Sequence, residues 1–394
     1  MYKWIIILLL TTTFSLQAKE SLDFLSTDSI TYQCYLKGDW DKLISTGKRA
    51  IADDIDFKRL RQRMGYAYFV KQDYFAAKVQ YEMALKLDET DADTRAFLYY
   101  CGMYIGDEDF ARFHAAKLSD EIRQSLDVKR FKLIDAVDLE FNKKTNNSDF
   151  RSNPIYSRFG VNTRINYRLS LYQSVSKYSQ GVVIDSTGYN KPTTQSEYYG
   201  LLRYNLTANT NLMIGYHYLK TVVDTSSFNA NLYYGAIATR YNRFTFGANG
   251  SYMKNKMDTY KQMGVSAGYN FPTKRNIYLK SSVNYLKSSV KFSSLSENNG
   301  LVFSESVGGR IFNNLWGETT IISGNIKNYN DNNGLYIYNT LDATTFRGGL
   351  TLFWNITNKI TLFGNYSIDQ KKLESTITTN YKQQSFLGGI RWKI

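Results

Sequence analysis

Three prolines, two cysteines and two histidines in 394 residues rule out several familiar designs. So few cysteines exclude a disulfide-dense scaffold and a thiolate-rich metal site. With His114 and His217 alone, the chain has no metal-type His/Cys/Asp cluster, and it lacks a phosphate loop and a nucleophile elbow. No cofactor or metal is expected. Long apolar runs are also missing. Beyond residue 18 nothing approaches the roughly 18 uninterrupted apolar residues of a membrane helix, which excludes a helical membrane bundle. Acid is scarce in one part of the chain only. Residues 136–394 hold 29 Lys+Arg against 14 Asp+Glu, whereas residues 1–135 hold 20 against 21. The basic excess is scattered, with no run and no nucleic-acid motif, so a nucleic-acid partner is not expected.

The beginning of the chain predicts export. Lys3, the apolar run Trp4 to Leu10 and the small-residue exit Ser15-Leu16-Gln17-Ala18 follow the pattern of a secretory leader over 1–18. Export permits one disulfide between Cys34 and Cys101. Two small core residues in packed helices is the favoured alternative.

What fills residues 136–394 is a train of alternating segments with Gly, Asn and Thr between them. Tight gaps (209–211, 241–243, 272–275, 313–314, 357–359) alternate with looser polar stretches (180–193, 225–228, 254–259, 293–299, 329–333, 371–380). A closed transmembrane barrel has this layout, with short turns on one rim and longer loops on the other. Fourteen strands are expected: 136–144, 154–164, 167–179, 194–208, 212–224, 229–240, 244–254, 260–271, 276–292, 300–312, 315–328, 341–355, 360–370 and 380–394. Twelve is the alternative, with 157–179 as one long strand. That run is too long for one membrane strand of about 9–11 residues, and strand number is even in single-chain barrels.

Alternation assigns faces. Phe244, Phe246, Ala248 and Tyr252 share one side, as do Met263, Val265, Ala267, Tyr269 and Phe271. Leu350, Leu352, Trp354 and Ile356 follow suit, then Phe386, Ile390, Trp392 and Ile394. These are expected to face outer-membrane lipid. The opposite positions include Arg158, Arg164, Arg168, Arg203, Arg243, Lys280, Arg347, Arg391 and Lys393, with Glu318 and Asp369 as the main acids. They predict a basic lumen lining that attracts anions. His217, between Tyr216 and Tyr218, is expected on the inner wall; no spacing pairs it with Ser174 or Ser266 as a nucleophile. The ending Gly389 to Ile394, with Trp392 and Ile394 alternating, looks like the signal read by barrel-assembly machinery. It departs in closing on Ile and in placing Leu387 at a usually polar position.

Residues 19–130 change character, with apolar residues at helical spacing. Asp39-Trp40 precedes Asp73-Tyr74 by 34 residues, and a third unit is read at Asp109-Phe110, 36 further on. A helical period of 34 resembles the tetratricopeptide repeat, and Gly65, Tyr68, Tyr74, Ala77, Tyr81 and Ala84 occupy its packing positions, with Trp40 in the first unit. Glu89 stands where that family closes its unit with proline.

The fold expected is therefore α+β in two domains: leader 1–18, periplasmic tetratricopeptide-like domain 19–130, outer-membrane barrel 136–394. This order, the first strand Val137 to Lys144 with its polar loop Thr145 to Asn153, and the ending Gly389 to Ile394 resemble the YaiO family of outer-membrane barrel proteins. The resemblance implies a barrel with periplasmic repeats but no defined activity. The leading expectation is a channel or export pore for anionic solutes or polysaccharide, with the repeats docking a periplasmic protein. A non-transporting envelope scaffold is the alternative, and a lipid-modifying enzyme using His217 the third reading.

Overall fold

The computed structural model describes residues 22–126, 128, 132–148, 151–183, 190–256, 258–290, 299–339, 342–372 and 380–394. The expected leader 1–18 lies outside them. Among the described residues seven helices come first: α1 Phe24–Lys37, α2 Trp40–Ala52, α3 Lys58–Val70, α4 Tyr74–Leu87, α5 Ala92–Ile105, α6 Glu108–Ala115 and α7 Asp120–Ser125. The starts of α1, α3 and α5 lie 34 apart, as do those of α2, α4 and α6. The punctuation explains this recurrence. Gly38, Gln72 and Gly106 each adopt a left-handed conformation (φ 70, 62 and 79) that stops a helix. Asp39, Asp73 and Asp107 then cap the next by accepting the backbone N–H of Lys42, Ala76 and Phe110. The third unit therefore begins at Asp107, not Asp109. Three consecutive acidic residues offer two registers, and only Asp107 follows a left-handed stop.

Close approach of the helices depends on small residues. A Cβ on Gly65 would meet the Tyr81 ring at 2.9 Å, and one on Gly102 would meet Ala111 at 2.9 Å. Leu43, Leu60, Met64 and Cys34 fill one core; Ala77, Tyr81, Leu98, Cys101 and Phe110 fill the next. Ala84 is fully buried, and Trp40, Tyr68 and Tyr74 pack half-buried at the edges. Both cysteines are free and sit in different cores, so no disulfide joins them.

Sixteen strands follow among the described residues: β1 Ile134–Asn146, β2 Ile155–Arg164, β3 Leu169–Val183, β4 Asn190–Asn205, β5 Thr210–Val223, β6 Ser226–Tyr241, β7 Phe244–Asn255, β8 Asp258–Asn270, β9 Tyr278–Val290, β10 Gly300–Phe312, β11 Leu315–Gly324, β12 Asn330–Asp331, β13 Tyr336–Ile337, β14 Ala343–Asn355, β15 Ile360–Lys372 and β16 Asn380–Lys393. Fourteen of them close a barrel in which neighbours in sequence are neighbours in space. The ring is sealed by β1 against β16, Ala136 opposite Lys393 through Asn146 opposite Gln383. The run 157–179 is two strands, β2 and β3.

Two expectations about connections need correction. The stretches 225–228 and 254–259, read as loose loops, are mostly strand. β5 and β6 are joined by Asp224-Thr225, with Asp224 left-handed (φ 55). Polar residues there extend ladders past the apolar band; polarity marks the edge of that band rather than the end of a strand. Conversely, the strand expected over 315–328 stops at Gly324, whose φ of 121 turns the chain into the barrel. The stretch from there to β14 contains β12, the turn Asn332–Gly334 and β13, and it packs inside the lumen.

Outward positions are apolar and exposed. Phe244, Phe246, Met263, Val265, Leu350, Trp354, Phe386 and Trp392 all present their side chains to the exterior. The cylinder thus carries an apolar band around it, the boundary condition for a strand-built membrane protein.

Candidate pore lumen and its helical cap

Inward positions build a cavity of about 1750 Å³ that extends from the helices at the short-turn rim to Arg151, Gln180, Thr193 and Val223 towards the other rim. Its occupant is the inward loop. Ile326 and Tyr329 are buried against Leu286, Val302 and Ile322, and Leu335 against Tyr199, Met213, Leu232, Tyr234 and Met253. Polar contacts fix the turn. Tyr199 Oη donates to the Asn333 carbonyl at 2.8 Å, Tyr234 Oη to Asn333 Oδ1 at 3.1 Å, and Gln262 Nε2 to the Asn330 carbonyl at 3.1 Å. The loop is therefore plastered on the wall made by β4 to β11. Its Tyr336 reaches across to Glu140 on β1, and the cavity beside the loop is lined from all fourteen barrel strands.

The lining is charged but balanced. Among the described residues, eleven Lys and Arg and ten Asp and Glu line the cavity. Arg158 pairs with Glu140, and Tyr336 Oη donates to the same Glu140 carboxylate at 3.0 Å. Tyr172 accepts from Arg158 at 3.1 Å and donates to Asp138 at 3.0 Å. Arg347 lies 3.1 Å from Asp369, and Arg151 lies 2.7 Å from Asp342. Of the expected basic lining, Arg158, Arg164, Arg203, Lys280, Arg347 and Arg391 face this cavity; Arg168 and Arg243 stand on the short-turn rim beside it. The acids not assigned to the lumen from sequence are Asp138, Glu140 and Glu197, from β1 and β4, with Asp135 and Asp331, and Asp107, Glu108 and Asp109 from the helical domain. The first two had a signal: they alternate with Val137, Leu139 and Phe141.

His217 is a wall residue. Its Nδ1 lies 2.8 Å from the Gly334 carbonyl and its Nε2 lies 3.3 Å from Glu197. Ser176 donates to that same Glu197 at 2.7 Å. Neither Ser174 nor Ser266 hydrogen-bonds the imidazole, so the geometry assembles no nucleophile there. Gly389, Trp392 and Ile394 occupy the closing strand and its end, with Trp392 and Ile394 outward and Leu387 in the lining.

The helical domain sits across the short-turn rim. The start of α6 points into the mouth. There Asp109 bridges Arg164 at 3.0 Å and Arg203 at 3.3 Å, Asp107 lies 2.9 Å from Arg240, and Glu108 pairs with Lys393. On α4, Asp73 takes two contacts from Arg243 at 2.5 and 2.6 Å. Lys78, also on α4, is buried at the junction and donates to Asn209 Oδ1 at 2.6 Å, 4.3 Å from the Phe110 ring centre. Burial pushes the Asp107 carboxyl up, with Arg240 opposing. For Asp109 burial acts in the same direction, but Arg164 and Arg203 outweigh it and hold the group below the ordinary carboxylate range. Burial also lowers Lys78, against the pull of Glu82 and Asp107.

No family model and no curated protein matches the chain. Solved barrels do resemble it. A Pseudomonas aeruginosa FadL homologue covers 66% of this chain and 90% of its own, at 8% identity and a TM-score of 0.44. The Pseudomonas putida toluene transporter TodX covers 67% and 90%, at 5% identity and 0.47. A bacterial polysaccharide outer membrane secretin covers 67% and 100%, at 8% identity and 0.42. The class defined by the coordinates is a closed fourteen-stranded antiparallel barrel with an N-terminal helical domain. It is similar in architecture to these outer-membrane barrels.

Proposed function

We propose that the protein is an outer-membrane channel, oriented with the helical domain in the periplasm, that passes polar solutes through its lumen beside the inward loop. One observation carries this reading. The inward loop narrows the barrel without filling it, and leaves a cavity of about 1750 Å³, with many charged and polar side chains in its lining, running from the cap towards the opposite rim. A purely structural barrel has no need for such a passage. The 34-residue helix recurrence supports a tetratricopeptide-like array that docks a periplasmic protein, as the resemblance to the YaiO family implies. Leader removal and delivery to barrel-assembly machinery belong to the same reading. The balanced lining supports a polyhydroxylated solute such as polysaccharide over selection by net charge alone, so anion preference is assigned to the mouth rather than to the lumen.

The test is conduction through planar bilayers by the full chain at about 1 M KCl, where exposed charge pairs are screened within roughly 3 Å. Ser304→Cys places a thiol on the passage wall, and both native cysteines are buried. Steady conductance that falls when a bulky thiol reagent modifies Ser304→Cys supports the channel. Absence of conductance, or conductance indifferent to that modification, refutes it.

A further inference from the structure

The barrel's cations are neutralised in two different ways. Deep in the lumen the wall supplies its own acids: Glu140 for Arg158, Asp369 for Arg347. At the short-turn mouth it supplies few. Arg203, Arg240, Arg243 and Lys393 each pair with a carboxylate of the helical domain, and Arg164 divides itself between Asp109 and the barrel's own Asp135, at 3.0 and 3.4 Å. These five come from β2, β4, β6, the β6–β7 turn and β16, which together form an arc of the rim. Remove the helical domain and that arc is a concave row of guanidinium and ammonium groups with one carboxylate among them. The row also has unused capacity. Arg164 is 5% exposed, and the buried Nε atoms of Arg164 and Arg203 have no hydrogen-bond partner. Guanidinium forks take carboxylate or phosphate in bidentate fashion, and an Arg with a free Nε edge can accept a further oxyanion.

We propose that this arc is a binding site for a polyanion, a chain bearing carboxylate or phosphate groups, and that Asp107, Glu108 and Asp109 occupy it in cis as a built-in competitor. Asp109 between Arg164 and Arg203 marks the position that one anionic group of the ligand takes. A polyanion arriving from the periplasm displaces the start of α6 and uncovers the passage, so ligand and cap compete for one set of cations. The direction of entry rests on the channel reading; the binding and the competition do not.

The experiment uses the full chain in detergent micelles and follows amide hydrogen exchange across residues 105–115, a readout independent of conduction. Oligogalacturonate supplies carboxylate, polyphosphate supplies phosphate, and neutral dextran is the control, all at one ionic strength held constant with KCl. Either polyanion should raise exchange in 105–115 while dextran leaves it unchanged; which one acts identifies the anionic group. Asp107→Asn with Asp109→Asn weakens the competitor and should lower the effective polyanion concentration roughly tenfold, the yield of three pairs at about 0.5 kcal/mol each. In the swap Lys393→Glu with Glu108→Lys the docking pair persists in reverse, so 105–115 should stay protected without ligand while the polyanion concentration needed rises. The proposal is overturned if KCl alone releases the helix as effectively as polyanion at equal ionic strength. It is equally overturned if neither polyanion changes exchange, or if the swap leaves their potency intact. A channel that fails to conduct would sink the transport reading and leave these outcomes untouched.

Discussion

Acid should strip the helical cap from the barrel, because of one histidine. His114 lies in the last turn of α6 and is 4% exposed, and neither ring nitrogen has a hydrogen-bond partner. Burial, reinforced by the positive fields of Arg95, Lys78 and Lys117, pushes its pKa down to about 3. In the unfolded chain it titrates near 6.5. The unfolded state thus takes up the proton first as pH falls. The neutral imidazole's contribution is complete above pH 6.5 and drains away towards pH 3. At about 1.36 kcal/mol per pH unit, the loss is roughly 2.7 kcal/mol at pH 4.5 and about 4.4 kcal/mol at pH 3, where half of the folded molecules carry the proton. That is a large share of the roughly 5–15 kcal/mol expected of an array of some hundred residues. Asp109, held low, adds a loss of the same sign only below about pH 4, whereas Asp107, held high, works in the opposite direction. Between pH 6.5 and 4 the histidine therefore dominates. Helical ellipticity at 222 nm, followed in micelles from pH 7.5 to 4, reads the cap separately from the strands. His114→Leu keeps the volume, removes two orphaned polar atoms and should move the acid midpoint down by more than a pH unit while retaining helix at neutral pH. If wild type and variant lose helix at the same pH, the reasoning is refuted.

Two further outcomes are expected. Arg158→Ala leaves Glu140, 4% exposed, without its guanidinium. This should destabilise the barrel by about 3–5 kcal/mol, seen as a lower temperature for conversion of the compact to the unfolded band on gels, and Glu140→Gln in the same chain should recover part of it. Gly324→Ala combines a φ of 121 with a Cβ placed on the Leu301 carbonyl oxygen, so the exit from β11 must shift; the inward loop then loses its seat, and conductance at high salt should rise above wild type.

Much of the barrel was legible before any coordinates. All fourteen ladders coincide with segments of alternating polarity, because one face meets an apolar exterior and the other a polar interior, and a period of two is unmistakable under that constraint. Met263-Gly264-Val265-Ser266-Ala267 is the plainest case; Met263 and Val265 are exposed and their neighbours inward. The connections were less legible. At Asp224-Thr225 the flanking serines read as loop because polar residues beyond the apolar band are compatible with either strand or turn. The inward loop was misread for a deeper reason. The residues around Tyr329, Asn330, Asn333 and Tyr336 are as polar and Asn-rich as an exposed loop, and what folds them inward is complementarity to Leu232, Tyr234, Leu286 and Val302 on distant strands. No local pattern encodes that. The cap's acids were hidden in another way. Asp107-Glu108-Asp109 reads as an ordinary helix start, and its second use depends on the rim it meets.

The two obstructions in the lumen are held by different physics, which decides which of them can move. The inward loop buries Ile326, Tyr329 and Leu335 almost completely. At roughly 1.5–3 kcal/mol for each such side chain, detaching it costs several kcal/mol before any hydrogen bond is counted. Salt leaves that term intact. The cap is held at the mouth chiefly by ion pairs, most of which keep one well-exposed member: the Arg203, Arg240 and Lys393 side chains are 38%, 33% and 41% exposed. Such pairs contribute from a few tenths to about 1 kcal/mol each, and they fade with ionic strength or with a competing anion. A fixed constriction beside a detachable lid follows from this difference. The barrel's excess of cations then has a physical role at the rim, where counter-charges come from another domain, rather than along a lumen that already neutralises itself.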